Sequence, residues 1–213
     1  MTEFIDLVDS TGVSCGTMEK LDAHRAGARH RAISVMLRDS HGRVLLQRRS
    51  ASKYHAGGLW SNTCCGHPFP GESPLTAARR RLRFEMGIEC ELLPAGTFSY
   101  QCPVTDDLVE NEWVHLFVGQ HDGRITPEPN EVSQYRWQRA RSLDASRLSM
   151  RGDAFTPWFR IYLRELPRFV QAKEPLRART ISTHLESRAD RLDFRLSPSI
   201  FNGRTWRSFS KLK

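Results

Sequence analysis

The chain has 213 residues, 39% hydrophobic and 26% charged, with a formal net charge of +8. That length can bury one sizeable core and carry an appendage, and no apolar run approaches the ~18 residues that cross a bilayer, so no membrane span is expected. Met1-Thr-Glu-Phe-Ile-Asp6 lacks the basic and apolar regions of a secretory signal, which points to a cytoplasmic protein, and five cysteines without a Cys-x-x-Cys pair read as reduced thiols. The positive charge suits a nucleic-acid binder, a membrane-surface protein or an enzyme for a phosphorylated substrate; scattered arginines do not choose among them.

In chain order, Glu3 to Asp9 alternates like a short strand and Asp9-Ser-Thr-Gly12 reads as its turn. His24 and His30 follow at a spacing that neither a helix nor a strand brings to one point. The chain between them must fold back if they share a partner; otherwise they are exposed residues of a basic linker. Arg31 to Arg38 and Arg43 to Arg48 flank Asp39-Ser-His-Gly42, the pattern of a β-hairpin. Arg48, Arg49 and Lys53 come next, as a solvated strand end or as fixed cations for an anion. Gly57 and Gly58 turn the chain into Asn62-Thr-Cys-Cys-Gly-His-Pro68, which sets a thiol and an imidazole on one sharply turned loop.

Ser73-Pro74 is a helix start, with an N-cap hydroxyl and a proline where no N–H is needed. Leu75, Ala78, Leu82 and Met86 form its core stripe and Gly87 stops it. Glu85 falls in the last turn, where the helix dipole disfavours a negative charge, so a compensating cation is expected. Val109 to Val118 reads as a strand with Glu110, Glu112, Val114, Leu116 and Val118 on one face. Unless that strand end has emerged into water, two carboxylates on a core-directed face require protonation, arginine partners or a metal. Ile125 to Asn130 reads as a loop and Val132 to Trp137 as a strand. Thr156-Pro157 opens a second helix, with Trp158, Ile161, Tyr162 and Glu165 on one face. From about Lys173 the chain turns basic and aperiodic, and residues 181–213, with Phe201, Trp206 and Phe209, read as a flexible or loosely docked tail.

Taken together, Asn62 to Pro68, the Glu72 to Ile88 stretch and Glu110-Asn-Glu112 resemble the type I isopentenyl-diphosphate delta-isomerases of the Nudix fold superfamily, over about residues 3–170. The resemblance implies an α+β Nudix fold, mixed β-sheets sandwiched between α-helices, as a single domain with an N-terminal extension. Residues 1–30 would be the extension that contributes metal ligands, 31–172 the catalytic domain and 173–213 a basic tail. It also implies that isopentenyl diphosphate becomes dimethylallyl diphosphate through a tertiary carbocation. Cys65 would be the essential thiol, and Glu112, hydrogen-bonded by Tyr100, the second proton-transfer group. Trp158 would face the carbocation. His24, His30, His67, Glu110 and Glu112 would hold one Mn²⁺, Mg²⁺ or Zn²⁺, and Glu85 would help hold a Mg²⁺ that enters with the diphosphate. Lys20, Arg49, Lys53 and Arg81 would bind the diphosphate itself. The implied partner is a small prenyl diphosphate, with no nucleic acid, and the implied assembly a monomer or homodimer.

One departure from the wider superfamily separates the competing functions. The hydrolase box reads G-x5-E-x7-R-E-U-x-E-E-x-G-U, whereas this chain has Arg81 and Phe84 at two of the glutamate positions. A hydrolase of nucleoside diphosphate derivatives predicts those glutamates intact and gives Cys65 no task. A nucleic-acid-binding module would use the basic tail with Phe201, Trp206 and Phe209 as stacking groups, and leaves the histidines and carboxylates unexplained.

Overall fold

A computed structural model describes residues 2–143, 154–166, 169 and 170; the tail expected over 181–213 lies outside these. Its central strand, β3 (His30–Arg38), is buried at eight of nine positions, as befits a strand covered on both faces. One edge of β3 pairs in parallel with β8 (Val109–Gln120) along its whole length, from His30 opposite Glu112 to Arg38 opposite Gln120. The other edge is shared end to end by three strands. β1 (Phe4–Val8) meets it at His30, β6 (Cys64–Gly66) covers Ile33 to Val35, and β4 (Arg43–Arg49) touches it at Arg38. β2 (Ser14–Glu19) lies outside β1, β7 (Leu92–Pro103) outside β8, and β9 (Val132–Arg139) and the short β5 (Trp60–Ser61) beside β4.

The predicted hairpin is therefore real at its turn and open beyond it. Asp39 and Arg43 close the turn, with Asp39 N–H donating to the Arg43 carbonyl at 3.0 Å, but the ladder between the strands stops at Arg38 and Val44. A second excursion of the chain wedges between them. The Thr63 hydroxyl accepts from Leu37 N–H at 2.9 Å and donates to the Leu45 carbonyl at 2.7 Å, replacing a ladder bond with a side-chain bridge. The expected loop at 62–68 is for the same reason partly strand: Cys64 to Gly66 pairs with β3.

Two helices cover the two faces. In α2 (Pro74–Met86), Ser73 caps the N-terminus by accepting from Thr76 N–H, and Ala77, Ala78, Leu82 and Met86 pack on Ile33, Val35, Leu37, Leu45 and Phe117. Burying Leu82 and Met86 contributes about 1.5–3 kcal/mol each. Gly87 ends the helix at φ 65°, where a Cβ would lie 2.6 Å from the Thr126 carbonyl oxygen, so both conformation and space demand glycine. On the opposite face α3 (Pro157–Glu165) packs Trp158, Phe159 and Tyr162 against Met36, Leu46, Val114 and Leu116. The strand reading of 109–118 holds: 110, 112, 114, 116 and 118 are buried and point to the α3 side. The N-terminal segment joins the same sheet, and α1 (Lys20–Ala26) follows β2 directly. No helix among the described residues is long and apolar enough to cross a membrane.

On the outer face of β8, Arg31 Nη1 donates to His115 Nε2 at 3.3 Å, a contact that only a neutral imidazole accepts. Burial, with the Arg31 cation beside it, lowers the His115 pKa to about 4. Stability from this pair is complete above the unfolded value near ~6.5 and lost as pH falls towards ~4. His115→Gln, which keeps an acceptor and cannot charge, is expected to lose less urea resistance than the wild type between pH 7.5 and 4.5; equal losses would show that this pair does not govern acid sensitivity.

Candidate active site

The α3 face of β8 carries the carboxylates of Glu110 and Glu112, both less than a tenth exposed. Three segments bring imidazoles to them. β3 begins at His30, opposite Glu112 in the parallel register. α1 carries His24 one turn before Gly27, whose left-handed φ of 60° reverses the chain so that Ala28 N–H bonds back to Ala23 and His30 returns beside His24. His67 arrives just after β6, which is held to the far edge of β3. Ring centroids lie 4.7 Å apart for His24 and His30, 4.9 Å for His30 and His67, and 5.4 Å for His24 and His67. The linker alternative is thus overturned: His24 and His30 are wholly buried.

This cluster has the chemistry of a cation site. His24 Nδ1 lies 2.6 Å from the Lys20 carbonyl and His30 Nδ1 2.8 Å from that of Ala28, so each spends its Nδ1–H on the backbone and turns the Nε2 lone pair inward. Those two Nε2 atoms and Glu110 Oε2 are buried without an aligned hydrogen bond among the described residues, although His24 Nε2 and Glu110 Oε2 are only 3.1 Å apart. One ligand atom each from His24, His30, His67 and Glu110 falls within 4.8 Å of all the others. Imidazole and carboxylate donors suit a divalent ion. Glu112 stands beside this set: its Oε1 is 3.1 Å from His67 Nε2 and 3.9 Å from His30 Nε2. Burial opposes charge on Glu110, yet the rings of His24, His30 and His55, when they carry a proton on the nitrogen facing it, hold it well below the usual carboxylate range. Burial and the Glu110 charge push Glu112 the other way, against the hydrogen bond that the Tyr100 hydroxyl donates to its Oε2 at 2.6 Å.

Adjacent Cys64 and Cys65 face opposite sides of β6. Cys64 is buried against α2, whereas Cys65 packs on the α3 side with the carboxylates. Asn62 fixes the thiol. Its amide nitrogen lies 3.0, 3.1 and 3.0 Å from Ser34 Oγ, Val35 O and Cys64 O, which forces Oδ1 towards Cys65 Sγ at 3.2 Å. Ser61 donates to the same Oδ1 at 3.0 Å and accepts from Trp158 Nε1 at 3.0 Å, so one chain of hydrogen bonds joins Cys65 to Trp158. Burial, aided by the Glu112 charge, raises the Cys65 thiol to about 12. Trp158, which sequence pattern alone treats as core, is buried and also part of this network.

The cations predicted for diphosphate divide into two groups. Lys53 Nζ and Arg81 Nη2 converge on Glu131 Oε2, at 2.6 and 2.9 Å, and Arg81 also grips Glu85 at 2.7 Å. Gln47 donates to the other Glu85 oxygen at 2.8 Å, so the expected partner for a carboxylate at that helix end is present. Arg49 instead lies over the Trp158 ring at 5.3 Å, and Lys20 pairs with Glu3. Glu72, the surviving first glutamate of the box, is held by Arg80 at 2.6 Å in an ion pair that also ties Arg80 to the His67 carbonyl. Glu131, His55 and the bridging Ser61 escape sequence reading. Each is a lone polar residue in a loop or at a strand end, without a period or spacing to mark it.

Residues 28–159 match the NUDIX domain, which defines the class of scaffold. A crystal structure from Deinococcus radiodurans superposes with a TM-score of 0.63 at 23% identity, covering 76% of this chain and 98% of that one, a likeness of fold. The chain is 48% identical over 158 residues to isopentenyl-diphosphate Delta-isomerase 1 of Aromatoleum aromaticum, covering 74% of this chain and 89% of that protein. It is 46% identical over 159 residues to the isopentenyl-diphosphate Delta-isomerase of Burkholderia multivorans, with 75% and 90% covered. The chain belongs to the isopentenyl-diphosphate Delta-isomerase family.

Asn62→Ala removes the amide nitrogen shared by Ser34 Oγ, Val35 O and Cys64 O together with the nearer acceptor of the Cys65 thiol, and is expected to destabilise the fold by about 3 kcal/mol in urea unfolding. A loss below about 1 kcal/mol would show that Asn62 does not brace the thiol strand.

Proposed function

We propose that this protein converts isopentenyl diphosphate to dimethylallyl diphosphate, moving the double bond by protonation at C4 and deprotonation at C2. The observation that carries this reading is the arrangement of Cys65 and Glu112 on the α3 side of the sheet, each fixed by its own hydrogen bond, the Cys65 thiol donating to Asn62 Oδ1 and Glu112 Oε2 accepting from the Tyr100 hydroxyl. An unactivated alkene is a very weak base, so the reaction needs a positioned acid, a positioned base and a pocket that keeps water from the cation; positioned proton transfer is worth roughly 10²–10⁴-fold. Cys65 and Glu112 take the two proton-transfer roles. Trp158, its indole oriented by Ser61, offers a π face to the carbocation, worth about 2 kcal/mol when desolvated.

His24, His30, His67, Glu110 and Glu112 are the residues we assign to one Mn²⁺, Mg²⁺ or Zn²⁺, a reading supported by the inward Nε2 lone pairs. Such an ion offsets the paired carboxylates and lowers the proton affinity of Glu112. Lys53 and Arg81 are assigned to the diphosphate, which would take over the contacts that Glu131 now makes, and Glu85 to the Mg²⁺ that arrives with it. Lys20 and Arg49 are assigned to the same diphosphate on the family resemblance, since here Lys20 pairs with Glu3 and Arg49 lies over Trp158. We assign residues 1–30 as the extension that delivers His24 and His30, residues 31–172 as the catalytic domain, and the cytoplasm as its compartment. Arg81, which stands where the hydrolases have a glutamate, is spent on Glu85, an arrangement that favours isomerisation over hydrolysis.

Incubation of the protein with isopentenyl diphosphate and Mg²⁺ is expected to yield an acid-labile allylic product, and Cys65→Ala or Glu112→Gln to lower turnover by at least about 10²-fold with the fold intact. Phosphate or nucleotide release without an allylic product would replace this reading with a hydrolase. Near-normal turnover in either variant would remove that residue from proton transfer.

A further inference from the structure

His55 has no part in the assignments above, yet its ring is nearly wholly buried against the same carboxylates. Glu110 divides its two oxygens. Oε2 faces His24 Nε2 at 3.1 Å and His30 Nε2 at 3.8 Å, while Oε1 faces His55 Nε2 at 3.1 Å. The His55 ring meets Trp158 edge-on at 5.7 Å between centroids and Tyr54 at 4.3 Å, and the His55 carbonyl lies 3.4 Å from Arg49 Nη2. The next residue, Ala56, has φ 50°, the one left-handed non-glycine among the described residues, a conformation that an L side chain disfavours. Packing thus holds the loop in a bend that the backbone resists, and the bend aims this imidazole at Glu110.

We propose that His55 is a positioning residue for the metal-binding carboxylate: its Nε2–H donates to Glu110 Oε1, leaving Oε2 alone to face the cluster formed with His24, His30 and His67. His55 is not a further ligand, since its Nε2 lies against the oxygen turned away from His24 and His30, and it falls outside the set whose ligand atoms all lie within 4.8 Å of one another. A carboxylate pinned through one oxygen is restricted to binding through the other, which fixes both its rotamer and the number of oxygens it gives a cation. Because the same ring abuts Trp158, it also sets the distance between the metal-binding carboxylate and the indole. The inference rests on the reading of the His/Glu cluster as a divalent-cation site.

Calorimetric titration of the metal-stripped, full-length protein with Mn²⁺ tests it. His55→Phe preserves a ring against Trp158 and removes the donor; His55→Gln restores an N–H that reaches Glu110. Loss of an outer-shell partner typically costs 10–100-fold, so His55→Phe is expected to weaken Mn²⁺ binding by about that factor at unchanged stoichiometry, with His55→Gln within about threefold of wild type. Isomerase kcat in the Phe variant should recover at saturating Mn²⁺ with KM for isopentenyl diphosphate unchanged. Wild-type Mn²⁺ affinity in His55→Phe, or equal weakening in His55→Gln, would overturn the positioning role while the cation site stood. A wild type that bound no Mn²⁺ would overturn the cation site itself.

Discussion

The parallel pairing of β3 with β8 is the constraint on which the site depends. Its register sets His30 opposite Glu112 and puts Glu110 within reach of the rings of His24 and His55. A slip of one residue would turn both glutamates to the outer face, where His115 and Trp113 now lie, and bring Asn111 and Trp113 into the core. The pairing is secured by apolar alternation on both strands: Val114, Leu116 and Val118 meet Ala32 and Met36 under α3, while Phe117 meets Ile33, Val35 and Leu37 under α2. The hydrophobic core thus fixes a polar constellation that would not hold itself together.

That constellation concentrates negative charge in two places, and the protein treats them differently. At Glu85 and Glu131 the compensation is built in, since Arg81, Lys53 and Gln47 supply donors to both carboxylates. At Glu110 and Glu112 it comes from imidazoles whose outer nitrogens are already committed to backbone carbonyls in two cases. Nitrogen lone pairs aimed in this way meet those of a carboxylate, which is costly unless a proton or a metal cation lies between them. The difference separates carboxylates already matched by fixed donors from a pair that a divalent ion would match.

Local signals in the sequence reach much of this. The N-cap at Ser73, the stop at Gly87 and the period-two burial of β8 follow from hydrogen-bonding and side-chain alternation within a few residues, and each is found where it is expected. The opposed faces of Cys64 and Cys65 follow from the same alternation. What escapes depends on contacts far apart in the chain. The opening of the β3–β4 hairpin needs Thr63 to enter from a later segment, and nothing between Arg31 and Arg48 announces it. His55 lies in a loop of glycine and alanine with no period, and its role is visible only once Glu110, 55 residues later, stands beside it. Glu131 is likewise an isolated acid in the turn before β9 until Lys53 and Arg81 meet on it. The proposed metal ligands required a family resemblance, because three segments separated by turns cannot be joined by spacing alone.

The central claim is that one divalent cation sits among the inward nitrogens and Glu110. Diffraction from crystals grown with Mn²⁺, recorded at the manganese absorption edge, tests it most directly. The account predicts a single strong anomalous peak within bonding distance of Nε2 of His24 and His30, of His67 and of a Glu110 oxygen. Crystals of active protein with no anomalous density among these four residues, or with density confined to the Glu85 side, would contradict it.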